Sequence, residues 1–289
     1  DHAILDHDIE YYDGANGRFV CWVKMPSLSV TDDTYIYMYY GKAGAADPTT
    51  TDTWSNGFEG VWHLDSDEED SSPNGNDPTY SGTIDQGAII GDGQRYQQPN
   101  DIITAPKDAS NLELTTDITL SFWMKMVGAP DDWDKLIWYG QNNDAPWGPY
   151  GVEFNNQADQ RIIFSASISG TKQMLESATA LDGNWHYVTA TYDNSNMKLY
   201  LDGDLDASQA MSGSIDDYEA NGLGPVFGSR HEDNSQAFKG TLDEMRISST
   251  ARDADWIKTA YNNQSDPVSF YDFSASYPPS DIAVSNETV

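Results

Sequence analysis

Residues 181–205 read LDGNWHYVTATYDNSNMKLYLDGDL, and this stretch decides the fold. Side chains alternate in character through residues 186–192, and Met197, Leu199 and Leu201 fall on one face of the segment that follows. Alternation with a period of two, rich in aromatic and β-branched residues, predicts half-buried antiparallel strands. The polar residues 193–196 form the connecting turn, and Asp202-Gly203 predicts a second tight turn because both residues tolerate positive φ. We expect this meander to lie at the centre of a β-sandwich.

The rest of the chain continues the same pattern of short strands. Residues 118–126 predict a long central strand, with Leu120, Phe122, Met124 and Met126 on one face. Further strands are predicted at 87–96 (around an Asp92-Gly93 turn), 101–104, 136–139, 151–154 and 161–165. Helical periodicity is confined to residues 254–262, with Asp253 as a candidate N-cap. Regular short strands separated by turn signals predict an all-β sandwich.

The chain divides into three segments at the level of sequence. Residues 1–57 predict a small β-unit with strands at 9–12, 18–25 and 34–40. Residues 58–273 predict the sandwich, in which Trp62 and Leu64 point inward. A short polar connection, residues 48–53, implies that the small unit packs on the sandwich. Residues 274–289 (SASYPPSDIAVSNETV) are typical of a linker.

Several motifs resemble known families. WHYVTATYD with KLYLDG, LTTDITLSFWMKM (residues 114–126), FKGTLDEMRI (238–247) and RDADWIKTAY (252–261) are similar to laminin-G-like, concanavalin A-like jelly rolls. IEYYDGANGRFVCWVKMPSLS and TYIYMYYGKAGA resemble part of a small β-domain of unknown function that precedes such jelly rolls in bacterial and archaeal surface proteins. The resemblance implies a jelly roll joined to other domains at a cell surface or outside the cell, and it does not imply one activity.

The charge balance restricts the partners. The chain carries 47 Asp and Glu residues against 15 Lys and Arg, a formal net charge of −32. Nucleic acids and anionic surfaces would be repelled. The acidity is explained either by a saline or marine habitat, where salt screens self-repulsion, or by carboxylates that bind Ca²⁺; both explanations stay open. No apolar run reaches the roughly 20 residues that span a bilayer, and the single cysteine, Cys21, excludes a disulfide within the chain.

An acidic segment, DSDEEDSSPNGND at residues 65–77, is a candidate cation site. Such loops offer the oxygen ligands that Ca²⁺ requires, although the spacing is not that of an EF-hand. The resemblance implicates Asp70, Asn74 and Asn76, with Asp243 opposite them; Glu244 and Asp92 are weaker candidates. The alternative is a solvated turn, with Asp243 acting as a cap or pairing with Arg246.

Aromatic and amide residues on two loops form a candidate ligand site. Trp147, Tyr150, Asn142 and Asn143 lie in QNNDAPWGPY, and Trp133 lies in the acidic loop before it. Aromatic rings stack on the C–H faces of sugars, while amides and carboxylates hydrogen-bond hydroxyl groups. The alternative is that Trp147 folds back over the end of the sandwich.

No catalytic arrangement is visible in the sequence. Glycosidases place two carboxyl groups about 5–10 Å apart. Asp243 and Glu244 are adjacent, so regular strand geometry would place them on opposite faces, and Glu153 is isolated. We therefore expect a non-catalytic extracellular module for carbohydrate binding and adhesion, stabilised by calcium, with glycans or glycoproteins as partners. The alternatives are a structural spacer or assembly segment of a surface protein or filament, and, least favoured, a glycoside hydrolase or lyase of the same fold.

Overall fold

A computed structural model describes residues 4–29, 31–38, 44, 49–106, 109–140, 148–155, 159–217, 224–230 and 236–271. Within these residues the regular secondary structure consists mainly of antiparallel strands. No helix in the described ranges is long and apolar enough to cross a membrane. The elements, in chain order, are β1 His7–Asp13, β2 Arg18–Val23, β3 Phe58–Trp62, β4 Thr79–Ser81, β5 Ile84–Gly87, β6 Asp92–Tyr96, β7 Ile102–Thr104, β8 Asp117–Met126, β9 Lys135–Tyr139, β10 Tyr150–Phe154, β11 Ile162–Ile168, β12 Thr171–Glu176, β13 His186–Asp193, β14 Asn196–Leu201, β15 Asp204–Ala210, β16 Val226–Phe227, β17 Gly240–Ser248, α1 Ala254–Ser265 and α2 Pro267–Phe270.

Two large sheets form the sandwich. One sheet has the order β15-β14-β13-β8-β17-β6-β5, with β3 also paired to β17, and the other has the order β12-β11-β10-β9-β16-β7-β4. The predicted meander is confirmed: β13 pairs with both β8 and β14 along most of its length. Asp202 and Gly203 both have positive φ, 52° and 80°, as a tight hairpin turn requires.

The hydrophobic core lies between the two sheets. Phe122 and Met124 of β8 belong to the same buried cluster as Val152 of β10 and Phe164 of β11. The residues predicted to share one face of β8 and of β14 all belong to it, as do Trp62 and Leu64. Strand alternation in the sequence therefore identified the core face of the sandwich correctly.

The predicted helix forms and is three residues longer than expected. Asp253 is the N-cap, and its carboxylate accepts a hydrogen bond from the Trp256 N–H at 2.8 Å. The helix covers the outer face of β8, where the Trp123 indole donates to Gln264 at 2.8 Å and contacts the Tyr261 ring.

The N-terminal ribbon β1–β2 packs on the outer face of the sandwich next to β3 and β17. Two tryptophans carry the contact: the Arg246 guanidinium lies 4.3 Å from the ring centre of Trp22 and 4.7 Å from that of Trp54. The Trp54 indole also donates to Asp8 of β1 at 2.8 Å.

The predicted third strand of this ribbon, residues 34–40, does not form in its described part, residues 34–38. The side chains of Tyr35, Ile36, Tyr37 and Met38 are all exposed. This segment alternates in sequence, but no strand of the described residues pairs with it. Strands are stabilised mainly by the side chains of paired strands and by burial of one face.

A second difference concerns the turn between β5 and β6. It lies at residues 88–91, where the Ala88 N–H donates to the Gly91 carbonyl and Gly91 has a φ of 52°. Asp92 and Gly93, predicted as the turn, are instead the first residues of β6. Gly93 is needed for packing, because an added Cβ would lie 2.7 Å from the Leu242 carbonyl oxygen of β17.

Candidate functional site

The acidic loop between β8 and β9 borders a cavity at one end of the sandwich. The cavity has a volume of about 240 Å³ and is lined by Pro99, Asp131, Asp132, Asp134, Gln236, Ala237 and Lys239. Three chain segments meet there. The Lys239 ammonium lies 3.1 Å from the Asp131 carboxylate, and the Lys135 N–H donates to the Gln236 carbonyl at 2.9 Å. The cavity therefore presents several carboxylates with one cationic and one amide group.

Trp133 stands in the middle of this loop with a positive φ of 67°. Trp133 is half-buried, and its sequence neighbours Asp132 and Asp134 line the cavity. A non-glycine residue with positive φ is uncommon and requires support from its surroundings. Part of that support is a backbone hydrogen bond from Asp131 to the Asp134 carboxylate, at 2.8 Å.

Asp134 is the buried acid of the cavity. Burial, together with the negative charge of Asp131, outweighs the hydrogen bond from the Asp131 N–H and raises the pKa of Asp134 to about 7. Its second oxygen, Oδ1, has no hydrogen-bond partner among the described residues. The cavity thus contains a carboxyl group that gains or loses a proton near neutral pH.

A buried ionic group lies beside Trp133 on the outer face of the second sheet. The Glu153 carboxylate is paired with Lys135 and with Lys172, and it accepts a hydrogen bond from Ser165 at 2.9 Å. The Lys172 ammonium lies 5.8 Å from the ring centre of Trp133. Burial disfavours the charged carboxyl, but the two ammonium groups outweigh it and lower the pKa of Glu153. Glu153 is therefore held as an anion, and its polar contacts within the described residues include Lys135, Lys172 and Ser165.

The predicted ligand residues separate into three groups. Trp133 lies next to the cavity. Tyr150 belongs to the core, and its hydroxyl donates to the Leu112 carbonyl at 2.7 Å, so its ring is not available for stacking on a ligand. Asn142, Asn143 and Trp147 lie outside the described residues.

The predicted calcium ligands are brought together only in part. The Asp70 carboxylate accepts hydrogen bonds from the N–H groups of Val61, Ser72 and Asn76 at 2.7–2.9 Å, so it organises its own loop. The side-chain amides of Asn74 and Asn76 both donate to the Glu59 carbonyl.

Asp243 is buried elsewhere, on β17, and accepts a hydrogen bond from the Ile90 N–H at 3.1 Å. No hydrogen bond of the described residues joins Asp70 to Asp243. Calcium binding by Asp70, Asn74, Asn76 and Asp243 stays a prediction.

A β-bulge on β17 changes the expected geometry of Asp243 and Glu244. Asp243 pairs with Trp123 of β8 and Arg246 with Ser121, so the register is interrupted between them, and Glu244 has a φ of 53°. In a regular strand the two acids would lie on opposite faces. The bulge instead lets both carboxylates act on each other, and on Glu10 and His63. The expectation that regular strand geometry separates these two acids therefore does not hold at this bulge.

His63 is the centre of this second cluster, which lies between the N-terminal ribbon and the sandwich. Its Nδ1 atom is 2.8 Å from Glu244 Oε1 and 3.4 Å from Glu10 Oε2, and its Nε2 atom is 3.2 Å from Asp8 Oδ2. The Trp22 ring stacks on the imidazole with centroids 6.0 Å apart. We refer to Asp8, Glu10, His63 and Glu244 as the His63 cluster.

Burial and charge act against each other in the His63 cluster. Burial disfavours a charged imidazole, but the charges of Glu244 and Glu10 outweigh it and raise the pKa of His63 well above its ordinary value. Burial, followed by the charge of Glu244, raises the pKa of Glu10 to about 8. One signal in the sequence points to the cluster: in GVWHLD, His63 stands between the core residues Trp62 and Leu64, so its polar side chain faces outward from the sandwich.

Comparison with known proteins places the chain in a family. The family model described as the concanavalin A-like lectin/glucanases superfamily matches residues 97–258, more than half of the chain. The chain belongs to this superfamily. A second model, a domain of unknown function (DUF2341), matches residues 1–70. Both predicted resemblances are confirmed, and the second match extends past residue 57 to include His63 and Asp70.

Solved structures confirm the fold of this concanavalin A-like chain. It is similar to the binding domain of Paraclostridial Mosquitocidal Protein 1 (18% identity, TM-score 0.55) and to the receptor binding domain of botulinum neurotoxin C/D mosaic serotype (17%, 0.55); each match covers 72% of this chain and 52% of the other. The binding domain of botulinum neurotoxin DC in complex with SialylT matches at 13% identity and a TM-score of 0.55, covering 72% and 51%. The chain spans about half the length of these solved domains. A search of curated proteins finds no significant match.

Proposed function

We propose that this concanavalin A-like chain is a non-catalytic carbohydrate-binding module of an extracellular or cell-surface protein, and that it binds uncharged glycans in the cavity beside Trp133. The observation that carries the proposal is the position of Trp133, a half-buried residue with positive φ in the loop whose neighbouring residues Asp131, Asp132 and Asp134 line a cavity. Carboxylates accept hydrogen bonds from sugar hydroxyls, and an adjacent indole offers a face for the C–H side of a sugar ring.

The charge of the chain determines which glycans we propose. The net charge is −32, and the cavity contributes three aspartates against one lysine. Sulfated, uronic and sialylated sugars would meet a repulsive potential, whereas neutral hydroxyl-rich sugars would not. The fold supports the proposal through the superfamily, which includes lectins as well as glucanases.

A glycan array tests the proposal and separates it from the alternatives. We expect the wild-type chain to retain neutral oligosaccharides and to pass over anionic ones, and we expect Trp133→Ala to lose this retention. Uniform silence across the array would favour the structural role as a spacer. Release of shortened products from polysaccharides would favour a glycoside hydrolase or lyase.

We also propose, separately from glycan binding, that the chain binds Ca²⁺. The loop at residues 65–77 remains a candidate because it carries several exposed acidic residues in addition to the buried Asp70. After exhaustive chelation, we expect added Ca²⁺ to raise the melting temperature. An unchanged melting temperature would contradict calcium binding and would leave the glycan proposal standing.

A further inference from the structure

The His63 cluster gathers metal-ligating groups from three distant parts of the chain. Glu10 comes from β1, His63 from the residue after β3, and Glu244 from the bulge in β17. One ligand atom from each lies within 4.8 Å of the others. The side chains of His63, Glu10 and Glu244 are 7%, 1% and 0% exposed. The strand bulge and the packing of the N-terminal ribbon are both needed to bring them together.

The separations fit a small divalent transition-metal ion. Zn²⁺ binds nitrogen and carboxylate oxygen at about 2.0–2.2 Å, which places tetrahedral ligands roughly 3.4 Å apart. In the cluster, His63 Nδ1 lies 2.8 Å from Glu244 Oε1 and 3.4 Å from Glu10 Oε2. Small side-chain rotations would open the shorter distance. An imidazole among the ligands favours zinc-type ions over Ca²⁺, which selects oxygen ligands only.

The other side of the imidazole carries the support that metal-bound histidines usually have. His63 Nε2 lies 3.2 Å from Asp8 Oδ2, and the same Asp8 oxygen accepts the Trp54 indole N–H at 2.8 Å. A carboxylate that holds the distal N–H of a histidine fixes the tautomer and the orientation of the ring. Asp8 would therefore be a positioning residue, and His63 Nδ1 would be the ligand atom.

Two buried carboxylate oxygens, one in the His63 cluster and one on Asp243 next to Glu244, leave room for a further ligand. Glu10 Oε1 and Asp243 Oδ1 have no hydrogen-bond partner among the described residues. Both side chains are almost fully buried, at 1% and 0% exposure. Buried polar atoms in folded proteins are nearly always paired, and unpaired carboxylate oxygens are costly. Arg246 pairs with Glu244, and Asp8, Glu10 and Asp243 add three further carboxyl groups in this region, so acidic groups outnumber the one arginine.

We propose that Glu10, His63 and Glu244 form a binding site for a single zinc-type divalent ion, which would fasten the N-terminal ribbon to the sandwich. The three protein ligands leave a fourth position for water or for a second carboxylate oxygen. The site is separate from the glycan cavity, which is built from the β8–β9 loop and the segment before β17. Its occupancy is independent of the proposed glycan binding.

Calorimetric titration of the chelator-treated chain with Zn²⁺ tests the proposal. We expect one saturable site that excess Ca²⁺ does not block, and a binding heat that changes with the ionisation enthalpy of the buffer, because the ligands release protons when metal binds. Zn²⁺ should also raise the melting temperature.

Variants keep the test specific. Glu10→Gln preserves the shape of the side chain and the acceptor for the Trp22 indole, so it should fold and should bind Zn²⁺ at least tenfold more weakly. Asp8→Asn should weaken binding by about 10–100-fold, as removal of an outer carboxylate does at other metal sites.

The matched control is His186→Gln. His186 also contacts two carboxylates, Asp182 and Asp202, but each faces a different ring nitrogen in a partly exposed turn. We expect this variant to bind Zn²⁺ like the wild type. Absence of a saturable site in the wild type, or unchanged binding in Glu10→Gln, would overturn the proposal and would show that His63 is a protonated salt-bridge centre without a metal.

Discussion

At the scale of single residues, this protein has charged side chains buried on the outer face of a sheet. Lys135 and Glu153 are both fully buried, although each alternates with core residues of β9 and β10. The Lys135 ammonium also lies 4.2 Å from the centre of the Trp138 ring, which helps to cover the pair. Burial of two charges is tolerated only when each compensates the other.

Glu153→Gln tests how much this compensation contributes. The change leaves the buried Lys135 ammonium without its counter-charge, so we expect the free energy of unfolding to fall by about 3–5 kcal/mol. Denaturant unfolding measures it. The control is Asp204→Asn, the same chemical change in the exposed pair with Lys258, which should cost less than about 1 kcal/mol. Equal effects of the two substitutions would contradict the importance of burial.

Asp134 leads to a prediction about pH. Because its pKa is raised to about 7 in the folded chain, the folded state holds a proton that the unfolded state has released above its ordinary pKa of 3.8. Stability from this group is therefore present at low pH and is lost as the pH rises from about 4 to about 7, with a slope of at most about 1.4 kcal/mol per pH unit.

Asp134→Asn should remove that part of the slope, because the amide still accepts the Asp131 N–H but does not titrate. Unfolding measured in steps between pH 4 and pH 8 checks the expectation. Asp132→Asn, the same change at an exposed position of the loop, should leave the slope unchanged. A wild-type slope in Asp134→Asn would show that Asp134 titrates normally.

At the scale of elements, the helix and the bulge show what a sequence pattern specifies. Asp253, followed by apolar residues at helical spacing, marked the start of α1 correctly, because the cap is a local interaction. The bulge at Glu244 was not predictable, because it depends on pairing with β8 and β3 at once. Tyr35 and Tyr37 show the converse error. Their alternation predicted a strand, but residues 34–38 pair with no other strand in the described part of the chain and both tyrosines are exposed.

Asp253→Ala tests the cap. The substitution leaves the Trp256 N–H without its acceptor, and we expect a loss of about 1 kcal/mol in the free energy of unfolding. Asp255→Ala removes an acid from the first turn without removing the cap and serves as the control. A larger loss for Asp255→Ala than for Asp253→Ala would contradict the role of Asp253.

At the scale of the whole molecule, the fold could be predicted and the sites only in part. Alternation in β8, β13 and β14 was enough to predict the sandwich and its core, since each strand must bury one face. Trp133 was predicted as a ligand residue because it is an aromatic residue in a polar loop, and its role stays a prediction. The cavity next to it could not be identified, because Pro99, the β8–β9 loop and Lys239 meet only after both sheets close. The His63 cluster was missed for a similar reason: its ligands are 53 and 181 residues apart along the chain.

The most direct test of glycan recognition at the cavity is calorimetric titration with the neutral oligosaccharide that the wild-type chain retains most strongly. Trp133→Ala is compared with Trp256→Ala, which alters a half-buried tryptophan on α1, near Phe58 and Arg252. We predict that Trp133→Ala weakens binding about tenfold or more, equivalent to ~1.4 kcal/mol, while Trp256→Ala binds like the wild type. Unchanged affinity in Trp133→Ala, with its melting temperature preserved, would contradict the account.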